Sequence, residues 1–167
     1  HTLQVRVTGD KHASSGGTVI PADQVMVLAS KDTVSESAIT AAQDTFVRGK
    51  ASDDQDYSIV NYGSQTQLNV ANNSHEGWIR RSFFQFDLSD AEGDLQAISL
   101  SVFAGPTDPN FAGTSDFQVY AVDDDEWDEN AMTWTDQKPL GAWIGAAPHV
   151  TVPDREVKVD LTAYAMS

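Results

Sequence analysis

Residues 78–88, WIRRSFFQFDL, carry hydrophobic residues at every second position of one face in their second half. Side chains alternate across a strand, so every second residue from Arg80 onward falls on one face, which carries Phe84 and Phe86. The segment therefore predicts a central strand with an aromatic inner face. Its first half also places a tryptophan beside Arg80 and Arg81, a combination that a hydrophobic core does not need.

Further alternating segments are spread over the rest of the chain. They predict strands over residues 3–8, 25–28, 45–48, 67–70, 97–104, 116–122 and 156–161. No segment shows a sustained helical period with caps at its ends. The number and spacing of the strands are typical of a sandwich, so we predict an all-β fold of two packed antiparallel sheets, a β-sandwich of jelly-roll type.

Residues 31–40 interrupt this pattern with a polar stretch rich in Ser and Thr, which predicts a linker and a boundary near residue 40. The chain then divides into an N-terminal strand pair with its linker, residues 1–40, and a sandwich module, residues 41–167. Three arrangements of the N-terminal strands fit the pattern. They can pair within the chain, insert into a neighbouring subunit as donor strands, or end a preceding jelly-roll module.

Charge restricts the classes of partner. The chain has 25 Asp plus Glu against 10 Lys plus Arg, a formal net charge of −15, and no cysteine. Such a surface repels phosphates and anionic lipids, so we expect neither nucleic acid nor membrane as a partner. The absence of cysteine excludes disulfides and thiolate metal sites. The chain begins at His1 instead of Met, as in a processed or excised product.

Acidic clusters in loops suggest a cation. Asp53, Asp54 and Asp56 lie close together in a polar loop and offer several oxygens to one calcium ion. Solvated surface charge is the alternative, because the cluster lacks the spacing and the glycine of an EF-hand loop.

Catalytic motifs are missing from the sequence. The four histidines are dispersed, and no nucleophile motif or phosphate-binding glycine pattern occurs. We therefore predict that the chain is not an enzyme, although it could be attached to a lyase or a glycoside hydrolase. Tyr62 with Arg81 is the one pair worth testing for lyase chemistry.

Several short motifs occur in the order seen in DNRLRE-domain proteins. They are DTFVRG at 44–49, NYGS at 61–64, RRSFFQFDL at 80–88, VYAV at 119–122, WDE at 127–129 and TW at 133–134. Over residues 41–167 the chain resembles this group, which overlaps the family 96 carbohydrate-binding modules of alginate-degrading enzymes and the domains of disaggregatase-type proteins. The resemblance implies a non-catalytic β-sandwich attached to secreted polysaccharide-processing enzymes or cell-surface proteins.

The resemblance also implies that basic side chains bind the carboxylates of uronate residues. Arg48, Arg80 and Arg81 occupy the corresponding positions here. On chemical grounds we add the ammonium group of Lys50, which can pair with a carboxylate, and the rings of Trp78 and Tyr62, which can stack on sugars. The predicted carbohydrate-binding residues are Arg48, Lys50, Tyr62, Trp78, Arg80 and Arg81. The alternative is that the arginines pair with carboxylates and the aromatic rings are buried.

Two functions of different classes follow. The first is a secreted or cell-surface module that binds an acidic polysaccharide such as alginate. The second is a structural subunit of an extracellular fibre or matrix, in which donor-strand exchange links the subunits and calcium binds at their contacts.

Overall fold

A computed structural model describes residues 2–9, 18–30, 34–51, 55–89, 91, 94–106, 116–152 and 154–167. The strands are β1 Thr2–Gly9, β2 Thr18–Ser30, β3 Val34–Thr40, β4 Gln43–Arg48, β5 Leu68–Val70, β6 Arg80–Asp87, β7 Asp94–Pro106, β8 Phe117–Ala121, β9 Trp143–Ala147 and β10 Arg155–Asp160. Two 3₁₀ turns span Tyr57–Ile59 and Glu76–Trp78, and the helix α1 spans Thr162–Ala165. No helical segment within these described ranges has the length and apolar character needed to cross a bilayer.

The strands form two antiparallel sheets. Sheet A has the order β4-β6-β1-β8-β9. Sheet B has the order β10-β7-β2-β3, and β5 pairs with β2 as well. The predicted all-β sandwich is confirmed.

The main core lies between the sheets. Phe84 and Phe86 of β6 are fully buried there, together with Leu100 of β7 and Val159 of β10. These residues recur at every second position, as the period of a strand requires. The aromatic inner face predicted for β6 is therefore present.

A second hydrophobic cluster covers the outer face of β6. Phe83 is fully buried against Val47 and Met132, and the edge of the Trp127 ring packs on it with centroids 6.2 Å apart. Met132 and Trp127 belong to residues 122–137, which lie over this face of sheet A. β6 is thus buried on both faces, which explains its nearly unbroken aromatic sequence.

Both N-terminal strands pair within the chain. β1 lies between β6 and β8 in sheet A, and β2 lies between β7 and β3 in sheet B. The structure thus shows the first of the three arrangements that the sequence allowed. The domain boundary near residue 40 stays a prediction.

The interpretation of residues 31–40 as a linker was wrong for residues 34–40. These residues form β3, which pairs with β2 from Val34 opposite Ser30 to Thr40 opposite Gln24. β3 is an edge strand of sheet B, and its polar side chains from Glu36 to Thr40 are mostly exposed. An edge strand needs little hydrophobic alternation, so the sequence pattern did not reveal it.

Candidate functional site

Two of the predicted arginines meet at one end of sheet A. Arg48 ends β4 and Arg80 begins β6, and the two residues are directly opposite each other in the antiparallel pair. Opposite residues on neighbouring antiparallel strands project to the same face. Both side chains are half-buried, so the strand ends hold two guanidinium groups in one place.

Aromatic rings surround this pair. The Arg48 Cζ atom lies 3.5 Å from the centroid of the Tyr57 ring, and the Trp78 ring centroid is 5.7 Å from the Cζ atom of each arginine. Trp78 itself is 56% exposed. These four residues, Arg48, Tyr57, Trp78 and Arg80, are called the Arg48–Arg80 site below.

Close backbone packing fixes the position of Trp78. A Cβ atom on Gly49 would lie 2.1 Å from the carbonyl oxygen of Glu76, and one on Gly77 would lie 2.4 Å from the Cα atom of Ala51. Only glycine allows the two segments to approach so closely. Arg48 Nε also donates a hydrogen bond of 2.9 Å to the carbonyl oxygen of Gly77. The exit from β4 and the turn that carries Trp78 therefore form one unit.

Among the described residues, the charges of this site have no carboxylate as a direct partner. In the part of the chain that the structure describes, no carboxylate forms an ion pair with Arg48, Arg80 or Arg81. The pKa of Arg80 is lowered, first by burial and second by repulsion from Arg48. An anion placed against the two guanidinium groups would relieve this repulsion.

Lys50 and Asp56 lie at the rim of the site and pair with each other at 3.5 Å. Asp56 also accepts a hydrogen bond of 3.0 Å from the backbone N–H of Ser58, at the start of the turn that carries Tyr57. Hydrogen bonds from Ser58, with a smaller effect of Lys50, lower the pKa of Asp56.

The calcium prediction rests on Asp53, Asp54 and Asp56, of which Asp53 and Asp54 lie outside the described residues. Asp56 is exposed and is used by Ser58 and Lys50. No group of three potential metal-ligating side chains occurs among the residues that are described. Calcium binding stays a prediction.

The Tyr62 side chain packs against the hydrophobic core. Its ring stacks on Phe46 with centroids 4.3 Å apart and an angle of 20° between the rings, and the side chain is half-buried. The preceding Asn61 donates hydrogen bonds to the carbonyl oxygens of Glu129 at 2.7 Å and Met132 at 2.9 Å. The NYGS motif therefore ties its loop to residues 122–137.

Arg81 lies on the opposite face of β6 from Arg80. Its Cζ atom is 4.4 Å from the centroid of the Trp134 ring, and its Nη1 atom donates a hydrogen bond of 2.9 Å to Gln137 Oε1. Burial lowers its pKa, whereas the nearby Glu76 raises it. The structure does not bring the three arginines into one groove, nor does it pair Arg81 with Tyr62, which packs toward the inner face.

Sequence analysis missed Tyr57 and Gly77. Tyr57 stands in a polar stretch of the sequence, and its contact with Arg48 arises because the 3₁₀ turn Tyr57–Ile59 lies against the end of β4. Gly77 contributes to the site because it has no side chain and so allows Ala51 to approach closely. The nearest signals in the sequence were an aromatic residue within a polar loop and a glycine immediately before Trp78.

An exposed tryptophan lies beside two arginines that have no carboxylate partner in the described part of the chain. On a β-sandwich, these are features of a carbohydrate-binding module. The chain belongs to carbohydrate-binding module family 96, whose sequence model matches residues 35–167. This match confirms the resemblance noted in the sequence, and modules of this kind are generally non-catalytic. A comparison with curated proteins gives no match.

Proposed function

We propose that this carbohydrate-binding module binds an acidic polysaccharide such as alginate at the Arg48–Arg80 site, and that it belongs to a secreted or cell-surface protein. One observation carries the proposal. Two adjacent guanidinium groups, without a carboxylate partner among the described residues, flank an exposed tryptophan on a chain with a net charge of −15.

The chemistry of a uronate residue matches this arrangement. A guanidinium group donates two parallel hydrogen bonds to a carboxylate, and the C–H face of a pyranose ring packs on an indole. Trp78 supplies the indole, and Arg48 and Arg80 supply the donors on either side of it. Lys50 adds a cation at the rim when the ligand draws it away from Asp56.

The high negative charge of the whole chain is compatible with an anionic ligand. Charges are screened over about 10 Å at 0.1 M ionic strength. A uronate at the site is therefore governed by the two arginines beside it, more than by carboxylates elsewhere on the surface. The surrounding negative charge confines binding of the polyanion to this one region.

Calorimetric titration with an alginate hexasaccharide tests the site. We expect Arg80→Ala to weaken binding about tenfold or more, since a hydrogen bond to a charged group contributes about 1.5–3 kcal/mol. Arg155→Ala is the matched control, because Arg155 is exposed on β10 of sheet B and its loss changes the net charge equally. Equal affinities of the two variants would contradict the proposal.

A second titration separates the carboxylate from the sugar ring. The same hexasaccharide with its carboxylates methyl-esterified keeps the rings and loses the charges. We expect its binding to the wild-type protein to be lost. Unchanged affinity would show that the site recognises rings alone, which would rule out selection of an acidic ligand.

The fibre subunit has less support. Donor-strand exchange was suggested by N-terminal strands without an evident partner, and β1 and β2 have partners within this chain. Self-association and calcium binding remain predictions, which size-exclusion chromatography with and without calcium would test.

A further inference from the structure

An irregularity in sheet A determines where Trp143 lies. β8 and β9 pair regularly up to Val119 opposite Gly145, and the next pair is Tyr120 opposite Trp143. β9 therefore carries one extra residue, Ile144, which makes a β-bulge.

The bulge moves the indole from one face of the sheet to the other. A regular ladder would place Trp143 opposite Ala121, which is fully buried in sheet A. A shift of one residue reverses the direction of every following side chain. Trp143 thus lies on the outer face and is 60% exposed.

Neighbouring side chains hold the exposed ring in place. Trp143 Nε1 donates a hydrogen bond of 2.8 Å to Gln118 Oε1, and the half-buried Tyr120 lies directly opposite Trp143. We call Gln118, Tyr120 and Trp143 the Trp143 platform. An aromatic ring whose orientation is already fixed loses less conformational entropy on binding than a mobile one.

We propose that the Trp143 platform is a second glycan-binding site, which stacks on a neutral hexopyranose ring. Aromatic side chains supply flat apolar surfaces with polar groups at their edges, and the amide of Gln118 supplies hydrogen-bonding groups beside the indole. A protein partner fits less well, because a stable interface buries about 800 Å² on each side. The neighbour along β9 on this face is only Ala146.

The two strands that carry the platform supply no cation for a uronate. β8 and β9 contain no charged residue, and the nearest charged position in the register is Arg6 of β1, opposite Tyr120. Stacking on an indole and hydrogen bonds to an amide suit a neutral hexopyranose, which needs no charged partner.

The platform is separate from the Arg48–Arg80 site. β4 and β9 are the two edge strands of sheet A, four strand spacings apart, which amounts to about 20 Å. Trp143 also lies on the outer face, whereas Arg48 and Arg80 project to the inner face at the strand ends. A substitution that abolishes binding at one site should therefore leave binding at the other unchanged.

Calorimetric titration with cellohexaose and mannohexaose tests the platform. We expect wild-type protein to bind at least one of the two, and Trp143→Ala to lose that binding by about tenfold or more while its affinity for the alginate hexasaccharide is unchanged. Arg80→Ala should show the reverse pattern. The proposal is overturned if wild-type protein binds neither neutral hexasaccharide, or if Trp143→Ala weakens binding of alginate instead.

Two further variants make the test sharper. Trp143→Phe keeps an aromatic face and loses the bond to Gln118, so it should retain part of the affinity, and equal loss in Phe and Ala variants would count against stacking. Arg6 is opposite Tyr120 in the register of β1. Arg6→Gln should leave neutral-sugar binding unchanged, and loss of binding would overturn the assignment to a neutral ring.

Discussion

Arg80 and Arg81 are neighbours in the sequence but lie on opposite faces of β6. Arg80 projects toward the end of the sandwich, beside an exposed Trp78 and a second arginine. Arg81 projects to the outer face of sheet A, where Trp134 and Gln137 cover it. The comparison shows that the segment over each face decides the surroundings of a half-buried arginine: a second arginine and an exposed ring for Arg80, a covering ring and an amide for Arg81.

The charged neighbours of the two arginines also differ. Burial lowers the pKa of both guanidinium groups. For Arg80 the next cause is repulsion from Arg48, whereas for Arg81 it is attraction by Glu76. Arg81 is therefore partly compensated inside the protein, and Arg80 gains most from an external anion.

The largest expected effect comes from removing the strand that separates β6 from β8. A fragment of residues 41–167 lacks β1, β2 and β3, so sheet A is interrupted between β6 and β8, and β7 of sheet B loses β2, one of its two partners. Unpaired backbone groups and exposed core surface would follow. We expect this fragment to show neither a cooperative thermal transition by circular dichroism nor binding of alginate.

The same fragment tests the boundary near residue 40. The full chain under identical conditions is the reference. A folded fragment that binds alginate with wild-type affinity would mean that both arginines keep their positions without β1. That outcome would contradict the strand order of sheet A and support an independent module over residues 41–167.

A smaller effect should separate the two arginines by stability. Arg81→Ala loses the ring contact with Trp134 and the hydrogen bond to Gln137, which should lower the free energy of unfolding by about 1–2 kcal/mol. Arg80→Ala also relieves repulsion from Arg48, so its loss should be smaller. Urea unfolding of both variants measures the difference.

Binding should rank these variants in the opposite order. Arg81→Ala should keep its affinity for the alginate hexasaccharide, because its side chain lies on the other face of β6 from the Arg48–Arg80 site. A binding defect in Arg81→Ala as large as that of Arg80→Ala, without a loss of stability, would restore Arg81 to the sugar-binding surface that the sequence predicted.

The sequence predicted the sandwich because its core strands alternate with period two. β6, β7 and β10 were recognised by that alternation, and Phe84 and Phe86 were assigned to the inner face. β3 and β9 escaped recognition for different reasons. β3 is a polar edge strand, whereas β9 is short and contains a bulge, so its hydrophobic pattern changes phase.

Only part of the candidate site could be predicted in the same way. Arg48 and Arg80 were identified from motifs, and their meeting required the register of β4 against β6. The separation of Arg81 from Arg80 follows from strand alternation alone and was open to prediction. The role of Trp134 in covering Arg81 depends on the path of residues 122–137, which no local pattern specifies.

The smallest expected effect concerns a carboxylate beside the segment that covers Arg81. Asp44 is half-buried in β4, and its backbone N–H donates a hydrogen bond of 3.0 Å to Glu129 Oε2. Burial first, and then repulsion from Glu129, raises the pKa of Asp44. The folded state therefore holds the proton more tightly than the unfolded state, so the Asp44 contribution to stability is full at low pH and is lost as the pH rises through its folded pKa.

Asp44→Asn should therefore raise the free energy of unfolding at about pH 7 and change it little at about pH 3. Solvent screening of this partly exposed group limits the gain to a few tenths of a kcal/mol. Asp87→Asn is the matched control with the opposite sign, because hydrogen bonds from Ser89 lower the pKa of Asp87, so this variant should lose stability at neutral pH only. Urea unfolding at both pH values measures the two variants. An equal gain in the free energy of unfolding for Asp44→Asn at both pH values would contradict this prediction. It would mean that packing of the Asp44 side chain, not charge repulsion from Glu129, lowers the stability of the wild-type protein.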